Sequence, residues 1–171
     1  MKKTLFAAIV FTMVTAFSAS AQQDKSKRVS PPITVTETTK KGATITITYG
    51  QPALKGRKIG TDFVPYGKVW RTGANEATVF ETDKDVKIKG QTLPAGKYGL
   101  YTIPGENEWV VIFNKTWNQW GTKYSEAEDQ LRVSVKPEKS EKFQEKLIFE
   151  ISKSGEVSIE WGDTEVEFEI K

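Results

Sequence analysis

Thr44-Ile45-Thr46-Ile47-Thr48-Tyr49 alternates without a break, so an extended chain places Ile45, Ile47 and Tyr49 on one face and three threonines on the other. A period of two is that of a strand with one buried side, and β-branched residues suit its pleat. The same rule reads Leu131-Val133-Val135, Leu147-Phe149-Ile151, Val157-Ile159-Trp161 and Val166-Phe168-Ile170 as inward rows, each interleaved mainly with polar residues. Turn formers separate them: Lys89-Gly90-Gln91, Pro94-Ala95-Gly96, Pro104-Gly105-Glu106-Asn107, Lys153-Ser154-Gly155 and Gly162-Asp163. Strands and turns in this rhythm predict an all-β fold, an antiparallel β-sandwich of about eight to ten strands. Tyr98-Gly99-Leu100-Tyr101-Thr102-Ile103 and Trp109-Val110-Val111-Ile112-Phe113 are apolar at both parities and read as central strands covered on both sides. At most one short helix is expected, around residues 125–130, where Ser125 would cap and Glu128 stands at the matching third position.

Outside these rows the chain divides into three. Lys2 and Lys3 precede an apolar run from Leu5 to Phe17, closed by Ala19-Ser20-Ala21, which is the layout of a cleavable secretory signal over residues 1–21. Thr12, Thr15, Ser18 and Ser20 leave its apolar part shorter than the ~20 residues that cross a bilayer. Residues 22–32 are polar, carry Lys25, Lys27 and Arg28 and end in Pro31-Pro32; they read as a disordered leader. A single domain over residues 33–171 comes next, exported to the periplasm or beyond, with no membrane span after cleavage. The chain has no cysteine, so neither a lipid-bearing thiol nor a disulfide supports it. A domain of about 150 residues manages without, because it buries roughly two-thirds of its unfolded surface. Lys2 and Lys3 supply most of the formal net charge of +3, and the near-balanced remainder does not call for a nucleic acid partner.

The absence of both histidine and cysteine removes histidine-based triads, thiol nucleophiles and nitrogen- or sulfur-ligated zinc and copper. A carboxylate pair or a Ser-Lys dyad remains, and neither has a recognisable spacing here; no Asp-rich calcium loop appears. No catalytic residue, metal or cofactor is therefore assigned. Residues 50–77 form one long irregular loop, broken by Pro52, Gly56, Gly60, Pro65, Gly67 and Gly73, and long ordered loops are usually functional. Its candidate ligand-binding groups are Arg57, Lys58, Tyr66, Trp70, Arg71, Asn75 and Glu76. A second candidate is Thr116-Trp117-Asn118-Gln119-Trp120-Gly121, where Trp117, Asn118 and Trp120 set aromatic faces beside an amide, as shallow polar-ligand sites do.

Plain structural roles stand beside each of these. Trp70, Trp117 and Trp120 can plug the open ends of a sandwich. Arg71 can fork onto Asp62 or Glu76 and hold the loop, and Lys55, Arg57 and Lys58 around Gly56 can form a solvated tip. Glu160, Glu165, Glu167 and Glu169 are expected to project outward and keep the sheet from pairing with other molecules.

The chain resembles an exported bacterial family known as domain of unknown function 2911. The resemblance rests on Tyr49-Gly50-Gln51-Pro52, Lys55-Gly56-Arg57-Lys58-Ile59, Val64-Pro65-Tyr66-Gly67-Lys68-Val69-Trp70-Arg71-Thr72-Gly73-Ala74-Asn75-Glu76-Ala77-Thr78, Leu93-Pro94-Ala95-Gly96-Lys97-Tyr98, Leu100-Tyr101-Thr102-Ile103-Pro104, Trp109, Ile112-Phe113-Asn114 and Trp120-Gly121. It implies export and one domain and carries no activity. Three functions are compatible with these residues: a non-catalytic module holding a glycan or peptide on the two loops, an envelope assembly protein that uses a strand edge or the aromatic rim, and a carboxylate-dependent enzyme around Glu76. The architecture is testable at its centre. Ile112→Asp places an ionised carboxylate in the core at a cost of several kcal/mol, against a total stability of about 5–15 kcal/mol. The variant should show no cooperative thermal melt, and a soluble product melting like the wild type would refute the strand assignment.

Overall fold

The threonine face of residues 44–49 is matched by a second row of threonines. β1 (Pro32–Thr38) and β2 (Thr44–Gly50) pair antiparallel, and across them Thr34 meets Thr48, Thr36 meets Thr46 and Thr38 meets Thr44 through hydroxyl–hydroxyl hydrogen bonds of 3.0, 3.0 and 3.2 Å. Cross-strand pairs of this kind are the unit of sheet stabilisation, and they leave Ile45, Ile47 and Tyr49 buried on the other side. This computed structural model describes residues 24–61 and 63–171. The signal peptide expected over residues 1–21, the first two leader residues and Asp62 lie outside them.

The described residues then run through β3 (Thr78–Thr82), β4 (Val86–Ile88), β5 (Gln91–Leu93), β6 (Gly96–Ile103), β7 (Trp109–Asn114), β8 (Asp129–Val135), β9 (Pro137–Ile151) and β10 (Glu156–Glu169). Every strand pair is antiparallel. Six strands form one open sheet in the order β1-β2-β3-β6-β7-β8, while β9 and β10 form a long ribbon and β4 and β5 a small hairpin. The expected all-β, antiparallel sandwich is the architecture observed. Its core lies between the large sheet and the ribbon, where Tyr49 meets Phe149 at 4.7 Å and Phe113 meets Phe168 at 5.8 Å. The hairpin closes one end: Lys87 and Lys171 exchange backbone hydrogen bonds of 2.7 and 2.8 Å. β6 and β7 are the doubly covered strands, because Tyr101 and Ile112 on their outer side are fully buried with Ala77 in a second apolar cluster.

Three local expectations are corrected. Gly162 and Asp163 do not make a turn; β10 continues through them as a bulge, with register shifts on either side of Gly162, whose φ is 65°. A bulge inserts one extra residue and re-aims the rows beyond it, which is why the inward residues switch from odd positions (Val157, Ile159, Trp161) to even ones (Val166, Phe168, Ile170). The expected capped helix is a single 3₁₀ turn, Glu126–Glu128, and the Ser125 side chain makes no capping bond. The turn ends because β8 starts at Asp129 and takes its backbone groups into the sheet. From Asp24 on, the leader expected to be disordered is held against the domain, since Arg28 and Lys25 reach the Glu76 carboxylate and β1 begins at Pro32.

The outer face of the ribbon gathers Glu160, Glu165 and Glu167 around one shallow concavity. Burial pushes the carboxyls of Glu165 and Glu167 above the ordinary range, and neighbouring acids add to it: Glu160, Glu167 and Glu141 for Glu165; Glu156, Glu138 and Glu160 for Glu167. A carboxyl with a raised folded-state pKa stabilises the fold below its unfolded pKa of about 4.3 and loses that contribution as pH rises through the folded value. Glu165→Gln should therefore melt higher than the wild type at pH 7, with the difference vanishing below about pH 4; an equal gain at both pH values would show that charge is not its cause.

Candidate functional site

The long loop of residues 51–77 is stitched to both layers. At its start Ala53 bridges Lys146 on β9, the Leu54 N–H donates to the Glu145 carbonyl at 2.9 Å, and the Leu147 N–H donates to the Pro52 carbonyl at 3.0 Å. Further on, Trp70 and Thr102 of β6 exchange backbone bonds of 2.7 and 2.9 Å. The Trp70 ring points inward, stacked on Trp161 at 5.2 Å with 9° between planes and edge-on to Trp109 at 6.4 Å. It is a packing residue. Arg57 is likewise engaged: its Nε donates to the Leu54 carbonyl and a terminal nitrogen to the Ala53 carbonyl, and its guanidinium lies 3.5 Å over the Phe63 ring.

Beyond Trp70 the loop meets the second candidate. The Ala77 N–H donates to the Gln119 carbonyl and the Gly121 N–H to the Asn75 carbonyl, both at 3.0 Å, so residues 75–77 and 119–121 pair as short extended segments. The 115–125 segment is rooted at Asn114, which is fully buried at the end of β7. Its amide donates to the Ser125 carbonyl at 2.9 Å and to Asp129 Oδ1 at 2.7 Å, and its own oxygen accepts the Thr116 N–H at 3.0 Å. A buried amide with its donors and acceptor satisfied fixes its surroundings.

The two pieces enclose a cleft of ≈ 430 Å³ lined by Asn75, Glu76, Trp117, Asn118 and Trp120, with Gln119 between the indoles and Arg28 and Lys25 on the far wall. Trp117 is 37% and Trp120 47% exposed, so neither plugs the sandwich; Lys97 lies 5.4 Å over the Trp117 ring. The other sequence candidates fall elsewhere. Arg57 and Lys58 border a recess of ≈ 380 Å³ floored by Leu54, Ile59, Phe143 and Trp161. Tyr66 borders a third recess beside Glu106. Arg71 does not line the cleft.

Family membership is decided by the match along the chain. A family model described as a protein of unknown function, DUF2911, matches residues 30–170. The chain belongs to this family. No curated protein and no solved structure matches it. The DUF2911 span takes in both loops and the cleft they share, but it starts after Lys25 and Arg28.

Those two cations are the part of the cleft that sequence reading missed. One Arg28 terminal nitrogen lies 3.0 and 2.7 Å from the two Glu76 oxygens, Lys25 Nζ lies 3.0 Å away, and the Asn75 amide donates to the Ser30 carbonyl at 3.0 Å. A local run of basic residues gives no hint that a carboxylate nearly fifty positions on is its partner. The same pairing overturns the expectation that Arg71 forks onto Glu76: the acid is already occupied, and the alternative partner, Asp62, lies outside the described residues. Burial opposes ionisation of Glu76, but hydrogen bonds from Lys25, the Glu76 backbone and Arg28 outweigh it and hold the carboxyl below its ordinary range. If this pairing docks the leader, Glu76→Gln should raise the rate of trypsin cleavage after Arg28 at pH 8 several-fold while leaving the melt of the domain intact. Unchanged cleavage would mean that other contacts hold the leader.

Proposed function

We propose that this protein is an exported, non-catalytic module that binds a polar ligand, a glycan before a peptide, in the cleft between residues 75–77 and 117–120. The supporting observation is that two half-open indoles, Trp117 and Trp120, share one cleft with the amides of Asn75, Asn118 and Gln119. Indole faces cover the apolar C–H side of a sugar ring while amides exchange hydrogen bonds with its hydroxyls. Rooting on the Asn114 amide and on the 75–77 pairing presents these groups already ordered, which lowers the entropy cost of binding.

The carboxylate-enzyme reading has less support. Glycoside hydrolysis uses two carboxyls, one of them a general acid with a raised pKa. Glu76 is the only acid among the described residues that line this cleft, and its ion pairs push its pKa down.

The binding reading is checked by titrating a panel of neutral oligosaccharides and short peptides into the protein while following indole fluorescence and melting temperature. Trp117→Ala and Trp120→Ala should each weaken the responding ligand by about tenfold, or ~1.4 kcal/mol, without lowering the melt. Response to peptides alone would move the assignment to that class, and silence across the whole panel would sink it.

A further inference from the structure

The chain has four arginines, and three of them are spoken for. Arg28 pairs with Glu76; Arg57 is held by carbonyls and the Phe63 ring; Arg132 bonds Asp129 at 2.7 Å, the Tyr124 hydroxyl at 2.7 Å and Glu126 at 3.2 Å. Arg71 is the exception. Its Nε is buried without a hydrogen-bond partner, and among the described residues no carboxylate pairs with its guanidinium.

Arg71 is held where it is by the packing around it. Because Trp70 points into the core, the next residue faces the outer side of the sheet. Thr72 comes after it at φ 49°, a strained value for a β-branched residue. It is pinned there by bonds from its hydroxyl to the Thr102 hydroxyl at 3.0 Å and from the Thr78 hydroxyl to its carbonyl at 2.9 Å. Gly121 then packs directly on the Arg71 stem; any side chain at position 121 would overlap Cβ and Cδ of the arginine. A glycine is needed here to let the stem pass, not to reach an unusual φ.

Arg71 as a whole is partly buried, with its Nε end wholly so. Fully buried Tyr101 lies near enough for its phenol to interact electrostatically with Arg71. That phenol accepts a hydrogen bond from the Gln119 amide at 3.1 Å, and among the described residues nothing accepts its own proton. Burial lowers the Arg71 pKa, with Tyr101 opposing the shift. A cation in such a setting needs an anion to offset its lost hydration.

We infer that Arg71 is an anion subsite for a single carboxylate group, as carried by a small organic acid, which takes its hydrogen bonds from the terminal guanidinium nitrogens. One positive charge without a partner among the described residues is balanced by a monoanion, and the planar fork of a guanidinium fits a carboxylate; a dianionic phosphate would leave a surplus charge in a partly buried place. The subsite does not depend on the indole cleft for its argument, although Gln119 touches both.

Sodium acetate, sodium phosphate and sodium chloride titrated at equal ionic strength, with melting temperature and the Arg71 Nε–Hε signal of ¹⁵N-labelled full-length protein as readouts, test the assignment. Acetate should raise the melt and move the Nε–Hε signal, phosphate should do so more weakly, and chloride should do neither. Arg71→Gln should fold, melt no lower than unliganded wild type and lose the acetate response. Arg71→Lys, which keeps the charge without the fork, should weaken that response several-fold. An acetate response that survives in Arg71→Gln, equal effects of acetate and chloride, or phosphate outperforming acetate would overturn the inference. Should Arg71→Gln fail to fold, the wild-type signal decides, and an Nε–Hε resonance unmoved by acetate sinks it. Glycan-induced indole quenching is a separate readout, so a protein that answers acetate but no glycan retains the subsite while losing the cleft.

Discussion

Trp70 ties the two layers of this sandwich together. Its backbone extends the large sheet by pairing with Thr102, and its ring stacks on Trp161 of the ribbon. In a cysteine-free domain, such a contact does what a covalent staple would do elsewhere: it anchors the middle of a long loop to both sheets through burial and hydrogen bonds. The residues from 71 to 77 inherit their position from that anchor. Arg71 must face outward because Trp70 faces inward, and residues 75–77 arrive beside the 119–121 segment because little chain separates them from the anchor.

Two different surfaces come out of that geometry. On one, the pairing of the two loops opens a cleft whose indoles remain half exposed and whose one lining acid among the described residues is paired with the leader. On the other, the same 119–121 segment closes over the Arg71 stem and leaves its cation without a described counter-charge. The first is the surface proposed for a neutral polar ligand and the second the one inferred for a monoanion. Both rest on residues that are rigid for structural reasons, Asn114 beneath one loop and strained Thr72 within the other. Sites held on such supports reach binding geometry without reordering.

The strands were legible because alternation is a local property. Rows such as Ile45, Ile47 and Tyr49 are buried as their period requires, and even the bulge is written as a change of parity between Trp161 and Val166, although the glycine between them reads equally well as a turn. The polar first half of β9 was not legible. From Glu138 to Glu145 its residues are mostly exposed and charged, so it is a strand because β10 offers it hydrogen bonds, not because it has a face to bury. The 3₁₀ turn failed as a helix for the complementary reason: a capping pattern is a local signal, and the sheet claimed Asp129 first.

The amino-acid sequence alone determined the fold class, the doubly covered central strands, and the two loops in which side chains are not committed to packing by period. Only the tertiary structure decided which members of those loops meet. It packed Trp70 against the core, set Arg57, Lys58 and Tyr66 on other recesses, joined Asn75 and Glu76 to Trp117 and Trp120, and brought Lys25 and Arg28 across to Glu76. Periodicity is a property of neighbours a few residues apart, whereas these meetings depend on how two sheets stack and where one indole locks between them, and no short window of sequence contains that.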